Sequence, residues 1–188
     1  MSGSQKDEQF QWNTSLKRRF DEKAEIARRH PELARHTASA SVRLAYGFAC
    51  DVEHEDRMLR VDLPREDGGG ATGPHPGQLL RSCLGACLLM DYKIWGARLE
   101  VPIDAVELDI SCEYDARGPL GVDPKAPVGW TNVTIDIRIE SPADLTAVRH
   151  VVETAHRLSP MLANLSAGIE RVFRLRVVAP PSRDERRP

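Results

Sequence analysis

Two cysteines four residues apart, Cys83 and Cys87, stand in the run HPGQLLRSCLGAC that begins at His75. A histidine and a serine, His156 and Ser159, stand in a second run, AHRLSPM. Positions four apart share one helix face, which here also holds Leu79, Leu80, Leu84 and Leu88. A thiolate on such a face is a nucleophile and a site of oxidation. Cysteine is also among the most often buried residue types, and the pattern alone favours two small core side chains. No second Cys or His pair follows at finger-like spacing, so neither zinc nor any other metal or cofactor is assigned. His156 falls on the apolar side of its helix, where a satisfied structural histidine is the simpler reading and orienting a site near Ser159 the other. Ser159 most simply ends a helix ahead of Pro160, and no Gly-flanked nucleophile elbow surrounds it. The glycines of GGGATG are not followed by Gly-Lys-Ser/Thr, which excludes a phosphate-binding loop.

Positioning these residues takes two batches of strand, each followed by helix. Val42, Leu44, Tyr46, Phe48, Cys50 and Val52 alternate with smaller or polar residues and predict one half-buried strand. Leu59, Val61 and Leu63 continue in a second strand, stopped by Pro64. Glu66–Gly77 predicts a flexible loop, and Pro76 suits the first turn of a helix from about Gly77 to Trp95, with Gly96 as its stop. Val106, Leu108, Ile110, Cys112 and Tyr114 alternate with acidic and hydroxyl residues in the cleanest strand pattern of the chain. The Pro/Gly-rich stretch Arg117–Gly129 predicts a hairpin loop into a strand with Val133, Ile135, Ile137 and Ile139. Ser141 and Pro142 then open a helix with Leu145, Val148, Val152 and Ala155 inward, ending at Ser159. A short helix through Ala167 and a strand with Phe173, Leu175 and Val177 on one face complete the pattern.

Residues 1–36 predict a charged arm. Thr14 or Ser15 caps a helix to about Arg29, and the stripe Leu16, Phe20, Ala24 and Ala27 packs on the chain's own core or on a partner subunit. The main domain covers 37–179, and 180–188 is a polar, disordered tail. A chain of 188 residues buries a core without staples, and its four cysteines at irregular spacing predict free thiols in a reducing compartment. Net charge −2 and few, scattered aromatics give no case for nucleic acid or an anionic membrane. The first residues carry no apolar signal core, and Arg81, Asp91 and Lys93 interrupt the longest apolar run. A soluble, cytoplasmic protein is expected.

The order VDLPREDGGGATGPHPGQLLRSCLGAC, a strand ending YDARG, a Gly/Pro loop and strand, then AHRLSP resembles the OsmC/Ohr superfamily over Thr37 to Val178. The resemblance implies an α+β, OsmC-like fold: two long central helices wrapped by antiparallel-rich sheets, in an intertwined homodimer with paired sites at the subunit interface. Cys87 matches the peroxidatic cysteine, and Ser159 stands where the family has its resolving cysteine. Gly77 stands where the hydroperoxide-resistance branch has a glutamate, while Gln78 keeps the neighbouring amide and His156 the histidine before the Cys-Pro turn. Arg43 is the only nearby match, by order, to the arginine that activates the thiolate. Leu80, Cys83, Leu84, Leu88 and Met161 join Gln78 and His156 around the implied site. The activity implied is a one-cysteine thiol peroxidase for organic hydroperoxides, re-reduced by an external thiol. The alternative is a catalytically idle dimer that holds an apolar small molecule at its interface.

Overall fold

The computed structural model describes residues 3–54, 57–165 and 167–180. The chain forms two compact units, one of residues 26–83 and one of residues 1–25 with 84–188. From 181 onward the expected polar tail lies outside the described residues. No helix among the described residues is long and apolar enough to cross a membrane.

In the first unit, strands β1 (Ser41–Tyr46), β2 (Ala49–His54) and β3 (Arg57–Val61) form an antiparallel meander. The single strand expected from Val42 to Val52 is therefore a hairpin. It turns at Gly47, whose φ of +59° a side chain resists, with a bulge between Leu44 and Tyr46. Leu63 lies beyond β3, because Asp62 turns the chain. Val42 pairs with Val52 and Leu44 with Cys50, while Cys50 pairs with Val61 and Val52 with Leu59. One face of the sheet is thus apolar, and Val42 and Leu44 on it are 60% and 68% exposed.

The glycine-rich loop after β3 is not a slack connection. Asp62, 2% exposed, accepts hydrogen bonds from the amides of Leu63, Gly70 and Thr72 and from the Thr72 hydroxyl at 2.7 Å. These donors, the Thr72 hydroxyl first, hold its carboxyl below the usual carboxylate range. A Cβ on Gly73 would lie 2.1 Å from the Arg60 carbonyl oxygen, so the glycine serves close approach rather than flexibility. Asp62→Ala is expected to accelerate hydrogen exchange at the Gly70 and Thr72 amides by about 10-fold or more, read by mass spectrometry.

In the second unit, β5 (Trp130–Glu140) lies between β4 (Ala105–Tyr114), antiparallel to it, and β6 (Glu170–Val178), parallel to it. A parallel neighbour needs a crossover, and α3 (Leu145–Leu158) with the short α4 (Pro160–Asn164) supplies it. The alternation of β5 follows the pleat. Val133, Ile135, Ile137 and Ile139 are buried, while Asp136 and Arg138 face outward and pair with Arg174 and Glu107 across the sheet. On the buried face pack Leu84, Leu88 and Tyr92 of α2 (Pro76–Arg98), Val148, Val152 and Ala155 of α3, and Leu162 of α4.

Four helix ends differ from expectation; the shortest case is α4, which stops at Asn164 rather than running through Ala167, with Leu165 already extended. Helix α1 runs Gly3–Arg29, so Thr14 and Ser15 lie inside it; the Gln-, Glu- and Lys-rich residues upstream are good helix formers and leave no break for a cap. Its Asp21 accepts from Lys17 and from Arg98, each at 3.0 Å, and Arg98 stacks on Trp95, which ties the arm to α2. Asp144, not Ser141, caps α3 through the Ala147 amide; Ser141 instead donates to the Pro102 carbonyl, and Leu145 in the first turn is half exposed. Gly96 lies inside α2, which continues to Arg98 and closes with Glu100 in the left-handed region (φ +59°), its amide on Ala97 O and that of Val101 on Gly96 O. Gly96 is required by packing: an added Cβ would meet Ile103 Cγ1 at 2.7 Å. Gly96→Ala is expected to lose about 1–3 kcal/mol in a denaturant melt, despite its better helix propensity.

Candidate functional site

Helix α2 carries the candidate nucleophile, and its start is built for a firm origin. Pro76 occupies the first helical position, where its missing N–H is no loss. His75 Nδ1 accepts from the Gly77 amide at 3.0 Å, and Gln78 Oε1 reaches back to accept from the His75 amide at 2.9 Å. This is a reciprocal capping box with histidine in the place of serine. Gln78 is thereby engaged in the cap.

Along α2 two rows run side by side at four-residue spacing. Leu84, Leu88 and Tyr92 are fully buried. The adjoining row begins with exposed Cys83, continues through half-buried Cys87 and Asp91, and ends at Trp95. None of the four cysteines, which include Cys50 and Cys112, is in a disulfide. Against this second row comes Ser159, 2% exposed, at the break between α3 and α4 where Pro160 restarts the helix. Burial pushes the Asp91 carboxyl above its usual range, and the neighbouring Ser159 hydroxyl opposes the shift. Neither Asp91 Oδ2 nor Ser159 Oγ, both buried, completes a hydrogen bond of normal geometry.

His156 lies one turn before Ser159 and faces the core. Its Nε2 is 2.7 Å from the hydroxyl of Tyr92, and its ring centroid is 4.1 Å from that of Phe173. Burial pushes the imidazole down to about 4, so the ring is neutral at physiological pH, and burial pushes the Tyr92 phenol up. The histidine is held between two aromatic side chains and orients Tyr92. Met161 is half-buried against the same core.

The residues expected around the site divide between the two units. Cys87, Leu84, Leu88, His156, Ser159 and Met161 belong to the unit that holds β4–β6. Arg43, Gln78, Leu80 and Cys83 belong to the other, and Leu80 is 45% exposed. Arg43 is on the polar face of β1, where its guanidinium pairs with Glu53 at 3.0 Å and both are well exposed. Two residues join the site that the motif reading passed over, Asp91 and Tyr92. The signal for Asp91 was present: it is the only carboxylate within the apolar run and falls four residues after Cys87. Among the described residues no cluster of His, Cys, Asp and Glu could hold a metal ion.

Comparison with known proteins gives the chain's family and fold. Residues 68–172 match the family model of the OsmC-like protein. No curated protein matches the sequence significantly. Among solved structures, an OsmC-like protein from Mycoplasma pneumoniae is similar at 15% identity and TM-score 0.64, over 76% of this chain and 98% of that one. An organic hydroperoxide resistance protein OsmC from Legionella pneumophila superposes at 17% identity and TM-score 0.58, over 75% and 98%. The organic hydroperoxide resistance protein OhrB of Bacillus subtilis has 17% identity and TM-score 0.52 over the same shares.

Proposed function

Since this chain belongs to the OsmC-like protein family and has its α+β fold, we propose that it is a thiol-dependent peroxidase that reduces organic hydroperoxides through Cys87. The observation that carries the reading is the place of Cys87: a half-buried thiol in the middle of the long helix α2, bordered by Leu84 and Leu88 and followed one turn later by a buried carboxylate. The names of the Legionella and Bacillus proteins supply the substrate class.

In the reaction the Cys87 thiolate attacks the terminal oxygen of the hydroperoxide. An S–O bond forms, the O–O bond breaks, and the alkoxide leaves and takes a proton to become the alcohol. Cys87 is left as a sulfenic acid. An unassisted thiol, with a pKa of about 8.5, is mostly protonated at neutral pH, so a cationic partner would raise the rate. Arg43, paired with Glu53, is the cation that the family resemblance offers for this role. Ser159 has no sulfur with which to close a disulfide. Cys83 lies one turn away, and rigid helical Cβ directions strain that bond. Resolution therefore falls to an external thiol: one thiol displaces water to give a mixed disulfide, and a second releases Cys87. A reducing compartment such as the cytoplasm suits four thiols outside any disulfide.

A homodimer completes the proposal. The apolar face of β1–β3 leaves Val42, Leu44 and Leu59 at 60%, 68% and 44% exposed, a surface that a single soluble chain does not ordinarily present. Sedimentation is expected to give twice the 21.0 kDa chain mass, and Leu44→Asp to give the monomer.

The test is one equivalent of an organic hydroperoxide on reduced protein, followed by intact mass and peptide mapping. Rapid addition of one oxygen at Cys87 alone supports the peroxidase. Slow oxidation spread over all four thiols refutes it, and favours the idle dimer binding an apolar molecule, a reading that draws on the glycine at 77 and the serine at 159.

A further inference from the structure

Asp91 Oδ2 and Ser159 Oγ are two neighbouring buried polar atoms that complete no hydrogen bond of normal geometry, in a chain whose other described buried side-chain groups are satisfied. Their place is informative. Asp91 is four residues after Cys87 on α2, so their Cβ atoms are about 5–6 Å apart on one face. Helical side chains lean toward the N-terminus, which sets the Asp91 carboxyl over the turn that carries Cys87. Ser159, closed off from solvent at the α3–α4 break, abuts the same carboxyl. An oxygen added to Cys87 brings an O–H donor to the turn over which the Asp91 carboxyl lies, where Oδ2 has no partner of normal geometry.

We propose that Asp91 is the acceptor for the hydroxyl of a Cys87 sulfenic acid, and that Ser159 is the positioning residue that steadies the carboxyl. The inference rests on the peroxidatic reading of Cys87. The sulfenic acid arises as above: the thiolate's electron pair makes the S–O bond, the hydroperoxide is reduced by two electrons, and the thiol's proton ends on the alcohol. The S–O–H proton then points to Asp91 Oδ2. So held, the sulfenic acid waits for its thiol reductant, and a second hydroperoxide oxidises it to the sulfinic acid more slowly. Burial that disfavours the charged carboxylate is relieved when a donor reaches it.

The experiment follows wild type, Asp91→Asn and Ser159→Ala in an excess of cumene hydroperoxide, by intact mass with time and by dimedone capture. Cys87→Ser serves as the blank. In wild type the single-oxygen species should persist, and in Asp91→Asn its lifetime should shorten by about 10-fold, with the double-oxygen species rising in step. Ser159→Ala should shorten it by a smaller factor. The melting temperature provides a readout independent of the Asp91 variant's folding: oxidised wild type should unfold above reduced wild type, and Ser159→Ala should narrow that gap. Equal lifetimes in all three proteins, with the single-oxygen species formed on Cys87, would overturn the inference and leave the peroxidase standing. Absence of that species in wild type would remove both.

Discussion

Cys87→Ser is expected to lose hydroperoxide reduction by at least ~10³-fold, measured as the second-order rate of peroxide consumption with excess dithiol. A serine hydroxyl at neutral pH is not ionised and lacks the polarizable electron pair that opens an O–O bond. The change is small in volume and falls at a half-buried position, so the variant should unfold within about 1 kcal/mol of wild type. That combination, chemistry lost with the fold kept, separates a reactive thiol from a core one. Cys50→Ser and Cys112→Ser serve as controls. Cys50 lies on β2 and Cys112 on β4, and both substitutions should leave the rate within about 2-fold.

The second large effect is on stability in acid. His156 is depressed to about 4 in the folded chain, against an ordinary value near 6.5. Above pH 6.5 the imidazole is neutral in folded and unfolded chains alike and contributes no pH dependence. Between 6.5 and 4 the unfolded chain binds a proton that the folded chain refuses, so stability falls as pH falls through that window; below 4 both forms are charged and the loss levels off. The total is up to about 3 kcal/mol. Asp91, raised rather than lowered, has the opposite slope: its contribution is full below the unfolded carboxylate value and fades as pH rises through the folded one. Chemical denaturation at pH 7.5 and pH 4.5 should therefore differ by a few kcal/mol in wild type. In His156→Gln, which can still hydrogen-bond Tyr92 but does not titrate, most of that difference should vanish. A difference that survives in His156→Gln would mean that the acid sensitivity lies elsewhere.

What could be read in advance followed from periodicity and punctuation. The alternation of β4 and β5 was legible because one face of each is core and the other charged, and the Pro/Gly run 117–129 could only be a loop. The hairpin of β1 and β2 was hidden for a parity reason. Its turn at Gly47 leaves apolar residues on even numbers before and after it, so the alternation continues through the reversal as though one strand ran on. Gly96 misled because a glycine near a helix end ordinarily marks the stop, whereas here it makes room for Ile103 and Glu100 takes the left-handed position. Cys87 and Ser159 could be singled out because their surroundings match a family pattern. Asp91 was passed over although its place in the apolar run was visible, since a lone acidic residue in a helix usually faces water; only tertiary packing at the α3–α4 break buries it.

As the chain leaves the ribosome, β5 appears well before β6, whose residues pair with it from thirty-eight positions later in the sequence, Asn132 with Glu170. Until then the most deeply buried of the described strands has one open edge, and β4 alone cannot shield it. The meander of residues 41–61, whose partners are close in sequence, needs no such wait. A nascent or truncated chain without β6 is thus a natural client for chaperones and a seed for aggregation. Nonsense or frameshift changes late in the gene should be felt in solubility well before they are felt in chemistry.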